Sequence, residues 1–217
     1  MPKIALYGQT DVPFTEKCRR ALIFKGVPFD LHISSGPEDV KRWSPVTGLL
    51  PVMTVDDELV SDSTNILLRL EQLFPEPPLL SSVPIVAAQQ RNLEDWADES
   101  FLWYWQEWFR LEAATPGPPP SGAWARLRRR FRSPPGAAQR RAQVELIRGL
   151  EDRLNDLVNF LGARQFFFSD RVGMADLTVH AMLVTLRTDG IPGSARLLAE
   201  RATLVAFMSR VEAATGG

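Results

Sequence analysis

The sequence predicts an α/β half followed by an all-α half. Two observations carry that prediction. Strand-like alternation is confined to the region before Leu73, and beyond the Pro/Ser-rich stretch Phe74–Pro84 apolar residues recur only at helical spacing. Size agrees, since 217 residues with 45% hydrophobic content suffice for one large core or two small ones. The expected division is residues 1–76, a linker over 77–84, and residues 85–217. With 25 basic and 26 acidic side chains the charges nearly balance, which leaves no strong field to attract nucleic acid. The single Cys18 excludes an intrachain disulfide and suits a reducing compartment. Met1–Tyr7 is too short an apolar run for a secretory signal, and no run reaches the roughly 20 residues of a membrane span. A cytoplasmic protein with no membrane insertion is expected. His32 and His180 are far apart in sequence and accompany one Cys, so no metal site is expected.

Ile4–Tyr7 reads as a short strand ending at Gly8, and Gln9–Pro13 as a loop. Phe14, Cys18, Ala21 and Leu22 recur at helical spacing within Phe14–Lys25, and Gly26 supplies a stop. Pro28–Ile33 is a second strand, which completes a βαβ unit with a parallel pair. A short helix lies within Ser35–Trp43. Gly48–Ser61 reads as strand, acidic turn and strand, with the turn at Asp56-Asp57-Glu58. Pro51 stands at the start of a strand, where its missing N–H costs no ladder bond and a cis peptide is admissible. Asp62 or Ser63 caps the next helix, which runs to about Leu73. The order βαβ then ββα is the thioredoxin-like arrangement. Helical patterns follow over Ile85–Ala114, Ala137–Leu161 and Gly173–Leu186, with one or two more in Ala195–Ala213; Trp124–Arg132, between the first two, is short and very basic. Gly173-Met174-Ala175-Asp176 opens its helix with capping-box spacing, but with glycine in place of the hydroxyl.

Leu50-Pro51, Asp62-Ser63 and the Gly173–Asp176 box, in this order, resemble the glutathione S-transferase family over nearly the whole chain. The resemblance implies that Leu50, held by a cis Pro51, pairs through its backbone with the cysteinyl unit of glutathione. It implies that Asp62 and Ser63 hold the γ-glutamyl end at a helix N-terminus. It further implies a cytoplasmic homodimer that uses glutathione as cosubstrate, without a metal, and conjugates it to hydrophobic electrophiles in detoxification. Val12-Pro13-Phe14 resembles the Cys-Pro-Phe segment of omega-type members, with Val12 at the position of the active cysteine. Valine neither donates to a thiolate nor forms a mixed disulfide. Leu49 stands where members often carry Lys or Gln for the glycyl carboxylate, which leaves that contact to Lys41 or Arg42.

A thiol of pKa about 8.5 becomes a thiolate near neutrality only with help from a helix N-terminus or a hydroxyl donor. Tyr7, Gln9, Thr10, Asp11 and Thr15 are in range by sequence. Thr10 and Thr15 are the substitutes for the side chain that Val12 lacks. The competing readings are a plain loop residue for Thr10 and a helix N-cap for Thr15. Cys18 reads as a buried apolar residue rather than a nucleophile. In the aromatic run Trp96–Phe109, Tyr104 and Trp108 are assigned to a hydrophobic substrate pocket and the others to the core. Arg126–Arg132 reads as a solvated segment rather than a nucleic-acid patch. Two alternatives stay open. One is a non-catalytic ligand-binding or protein-interaction module of the same fold, favoured by Val12 and Leu49. The other is a glutathione-dependent peroxidase, isomerase or dehalogenase.

Overall fold

The computed structural model describes residues 2–9, 11–113 and 136–216. Thr10 and the short basic stretch Trp124–Arg132 lie outside these residues.

The first elements are β1 (Ile4–Gly8), α1 (Pro13–Phe24), β2 (Asp30–Ile33), α2 (Pro37–Trp43), β3 (Val52–Val55), β4 (Glu58–Ser61) and α3 (Ser63–Leu73). They build a four-stranded sheet of order β2-β1-β3-β4, with β2 parallel to β1 and the other pairs antiparallel. This is the thioredoxin-like arrangement. The helix α1 starts at Pro13, whose fixed φ and missing N–H suit the first helical position. The second strand begins at Asp30 rather than Pro28, because proline cannot donate to the ladder. The hairpin turn is Asp56-Asp57, with Asp56 at φ 53°, and Glu58 already pairs with Val55. Ile4 and Leu6 of β1 and Met53 and Val55 of β3, each pair two positions apart, share one core, closed by Leu22, Ile66 and Leu70.

The rest of the described chain is helical: α4 (Pro84–Ala113), α5 (Ala137–Leu161), α6 (Met174–Arg187), α7 (Ser194–Ala199) and α8 (Ala202–Ala214). The stretch Ala195–Ala213, expected to hold one or two helices, holds two, separated at Glu200-Arg201. Helix α6 is buried on nearly every side, as a helix apolar all round must be, and packs between α1 and α4. Its N-terminus explains the glycine in the capping box. Asp176 accepts the Gly173 N–H through Oδ2 and the Phe167 N–H through Oδ1, both at 2.9 Å. A Cβ at residue 173 would lie 2.7 Å from the Gln90 amide nitrogen and 3.0 Å from the Leu79 carbonyl oxygen. Crowding from the neighbouring chain, not tolerance of a missing bond, selects glycine there.

The stretch between α3 and α4 is tied to both halves. Lys25 Nζ donates to Glu71 Oε2 at 2.7 Å and to the carbonyls of Phe74 and Pro77 at 2.6 and 2.9 Å. The Met174 N–H donates to the Leu79 carbonyl at 2.8 Å.

Candidate functional site

The sheet register assembles the site. Tyr7 pairs with Val52, and Val52 pairs with Ser61. One step further along each antiparallel ladder, Gly8, Pro51 and Asp62 lie side by side at one end of the sheet. The Leu50–Pro51 peptide is cis. Asp62 caps α3: its Oδ1 accepts the Asn65 N–H at 3.1 Å. Its backbone sits at φ 76°, ψ 132°, which a non-glycine residue adopts only when its surroundings impose it. Ser63 follows as a buried first helical residue, and the Cys18 thiol approaches its carbonyl at 3.8 Å. Cys18 is fully buried, and burial pushes its thiol far up, so it stays a core residue.

Across this edge stands the start of α1. Val12 occupies the N-cap, and its carbonyl accepts the Thr15 and Glu16 N–H groups at 3.1 and 3.2 Å. Thr15 is therefore not the cap. Its Oγ1 accepts the Gln9 N–H at 3.1 Å, which leaves the hydroxyl proton to donate. Gly8 permits that placement, because a Cβ there would collide with the Thr15 side chain. The positive end of α1 and one hydroxyl donor thus face the edge where Leu50-Pro51 and Asp62-Ser63 meet. Valine caps nothing with its side chain; Pro13 has no N–H and the Thr15 and Glu16 N–H groups serve the Val12 carbonyl, so the helix end offers its dipole and the Phe14 N–H.

Val12 and Thr15 also line a cleft of about 330 Å³ whose far wall is α6. Glu16 at its rim holds Arg19 and Arg20 at 2.7 and 2.6 Å. Burial raises the Glu16 pKa, but the two guanidinium groups outweigh it and keep the carboxyl below its usual range.

Behind α1 lies a charged group that sequence reading missed. Lys17, without solvent exposure, reaches Glu94 and Asp98 of α4 at 2.5 Å each, and Thr64 of α3 donates to the same Glu94 oxygen at 2.7 Å. Among the described residues, Glu94 Oε2 and Asp98 Oδ1 are buried without a hydrogen-bond partner. Two carboxylates against one ammonium leave a net negative charge. Burial raises the Asp98 pKa to about 6 despite Lys17. Burial pulls Lys17 down, but the two carboxylates hold it above its ordinary value. The cluster as a whole favours an extra proton. These residues are 77 and 81 positions apart in sequence, so no local pattern announces them.

The remaining assignments lie elsewhere. Tyr104 is buried and packs at 4.9 Å against Trp103 and onto Gly149 of α5; it lines a separate groove of about 290 Å³ between α4 and α5. Trp108 is half-buried against the core. Neither shares the cleft at α1. Arg42 pairs with Asp39 and stacks on Trp43, Lys41 pairs with Glu38, and Leu49 is 71% exposed. Among the described residues no cluster of His, Cys, Asp or Glu could hold a metal ion, and no helix is long and apolar enough to cross a membrane.

Residues 6–78 match the sequence model of the glutathione S-transferase N-terminal domain. The chain is similar to the chloroplastic glutathione S-transferase DHAR3 of Arabidopsis thaliana, 39% identical over 72 residues, which is 32% of this chain and 28% of that one. The matched segments span under half the length of the curated relatives. A solved glutathione S-transferase of Methylobacterium radiotolerans, in complex with glutathione sulfonate, is 27% identical. It aligns over 97% of this chain and 91% of its own at a TM-score of 0.67. Rice GST1, solved in complex with glutathione, is 22% identical, aligns over 98% and 88%, and has a TM-score of 0.70, which shows a shared fold. The N-terminal match, the curated relatives and a fold shared over nearly the full length agree with the geometry: residues 6–78 match the glutathione S-transferase N-terminal domain, and the chain has the glutathione S-transferase fold.

Proposed function

We propose that the protein binds glutathione and conjugates it to a hydrophobic electrophile. The carrying observation is the register that lines up Gly8, Pro51 and Asp62, with Thr15 facing them from α1. In this reading the open N–H and C=O of Leu50 pair with the cysteinyl backbone. The Asp62 carboxylate faces the γ-glutamyl ammonium, and the α3 N-terminus at Ser63 faces the γ-glutamyl carboxylate. The thiol loses its proton to solvent, and the thiolate then accepts a hydrogen bond from Thr15 Oγ1 at the positive end of α1. That sulfur attacks the electrophilic carbon and forms the C–S bond while the leaving group departs with its electron pair. Proximity of the two bound partners contributes as much as the lowered thiol pKa. Thr10, assigned with Thr15 from sequence, remains the second proposed donor. The protein acts as a cytoplasmic homodimer in this reading, and its physiological role is detoxification.

Titration calorimetry with glutathione tests the binding. Heat of binding at millimolar glutathione is expected, and its absence rejects the reading. With binding shown, Thr15→Val is expected to lower turnover of a chloronitrobenzene by about 10- to 100-fold, with Thr15→Ser close to wild type. Unchanged turnover in Thr15→Val moves the donor role to Thr10. Val12, at a position that supplies no donor, favours a second reading: a binding module of the same fold that holds glutathione without turnover.

A further inference from the structure

His180 lies mid-way along α6, and none of its surface reaches solvent. A histidine there has to settle two ring nitrogens without water. Its Nε2 lies 3.3 Å from Glu212 Oε1 on α8, and Arg187 Nη1 meets the same oxygen at 2.8 Å. Burial raises the Glu212 pKa, but Arg187 and His180 outweigh it and hold the carboxyl below its usual range. An ionised carboxylate only accepts, so Nε2 carries the ring proton and Nδ1 is the bare nitrogen. Among the described residues Nδ1 is buried without a hydrogen-bond partner.

We propose that this junction is an acid-sensitive latch: protonation of His180 releases α8 from α6 and α1 while the rest of the fold holds. The latch does not depend on glutathione binding. A second ring proton would go to Nδ1, where no acceptor stands among the described residues. The charged groups around the ring are Arg20 and Glu16 from α1, Glu212 from α8, and Arg187 of α6 itself, which shares Glu212. Burial and then the Arg20 cation pull the His180 pKa down to about 4, against the pull of Glu212 and Glu16. A released ring titrates at the ordinary 6.5. Docking of α8 is therefore undiminished above pH 6.5 and weakens as pH falls from there toward 4.

The effect is local, because other buried groups respond to acid with the opposite sign. Burial raises Asp98 of α4 and Asp176 of α6 to pKa values of about 6, so acid strengthens their surroundings. The end of α8 has a second polar tie: Arg20 Nη1 donates to Thr215 Oγ1 at 2.6 Å. The same guanidinium holds Glu16, which lines the cleft at α1, at 2.6 Å. Release of α8 thus reaches the cleft through one side chain.

Hydrogen exchange of the backbone amides, corrected for the intrinsic effect of pH, tests the latch on the intact chain. From about pH 7.5 to about pH 5 the protection of Ala202–Ala214 is expected to fall at least about tenfold, while that of α3 does not fall. His180→Gln keeps an N–H for Glu212 but does not titrate, so its α8 is expected to stay protected at the lower pH. Unchanged protection of α8 in wild type, a fall that α3 shares, or a fall that persists in His180→Gln overturns the proposal. Ring titration by NMR needs no variant to fold, since the chain has two histidines, His32 and His180. One ring is expected to stay neutral down to about pH 5, and two rings that both titrate at about 6 or above overturn the proposal as well.

Discussion

Lys17→Met removes the cation from a buried group of three charges. Glu94 and Asp98 then stand together with no counter-ion among the described residues, where two of their oxygens already lack partners. Breaking a buried pair by removing one partner costs about 3–5 kcal/mol, and two stranded carboxylates put this site at the upper end. In a chain of this size each kcal/mol is worth about 2–4 °C, so the melting temperature should fall by about 10 °C or more near pH 8. The deficit should depend on pH with a definite sign. Asp98 has a folded pKa of about 6 against an ordinary 3.8, so between those values the folded protein holds the proton that the unfolded chain releases. Stability contributed by this group therefore rises as pH falls through about 6 toward 4, by about 3 kcal/mol in all. Without Lys17 the Asp98 pKa climbs further and the window moves toward neutrality. The variant should accordingly recover much of its loss at about pH 5. Thermal unfolding followed by tryptophan fluorescence at the two pH values reads both effects. A deficit below about 1 kcal/mol at pH 8, or an equal deficit at both, would refute the reasoning. Adding Glu94→Leu to Lys17→Met should restore part of the lost stability, because one stranded charge is gone.

Two substitutions probe the binding edge. Asp62→Ala loses the cap bond to Asn65 and keeps the unfavourable φ, so it should cost about 1–3 kcal/mol in urea unfolding; Asp62→Gly relieves the backbone and should be near neutral. Both should abolish glutathione binding in calorimetry if the carboxylate holds the ligand. Gly8→Ala should displace Thr15 and break its bond to the Gln9 N–H, with a loss of about 1–3 kcal/mol and a turnover loss matching that of Thr15→Val.

The sheet was legible because its cues are local: alternating apolar positions, Gly8, the acidic turn and Pro51 each constrain their own neighbourhood. Asp62 was legible as a cap for the same reason. Thr15 stood open between thiol donor and N-cap, since both it and Val12 lie at a plausible start; the cap falls to Val12, and the Gly8 surface decides which way the Thr15 hydroxyl turns. The Lys17 cluster stayed hidden because α1 is covered by the sheet on one side and α6 on another, so a lysine on a helix that looks solvated ends up enclosed. The aromatics of α4 could not be sorted by periodicity, because that helix meets α5 and α6 on different faces. Tyr104 goes to the α5 side where Gly149 leaves room for its ring. The cleft walls on β2 and α6 are brought together only by tertiary packing.

The strap held by Lys25 bears on how such chains can be recombined. Glu71 accepts from Lys25 and also from the Leu79 and Leu80 N–H groups, while the Leu79 carbonyl serves the first N–H of α6. Residues 71–80 thus carry acceptors for both halves, for Lys25 in the first and for Met174 in the second. A chimera that joins this first half to a relative's helical half within that stretch would orphan the Lys25 ammonium or the Met174 N–H. A crossover placed after Leu80 keeps the Lys25 ties and the Leu79 carbonyl, leaving Met174 or its counterpart the one group to match.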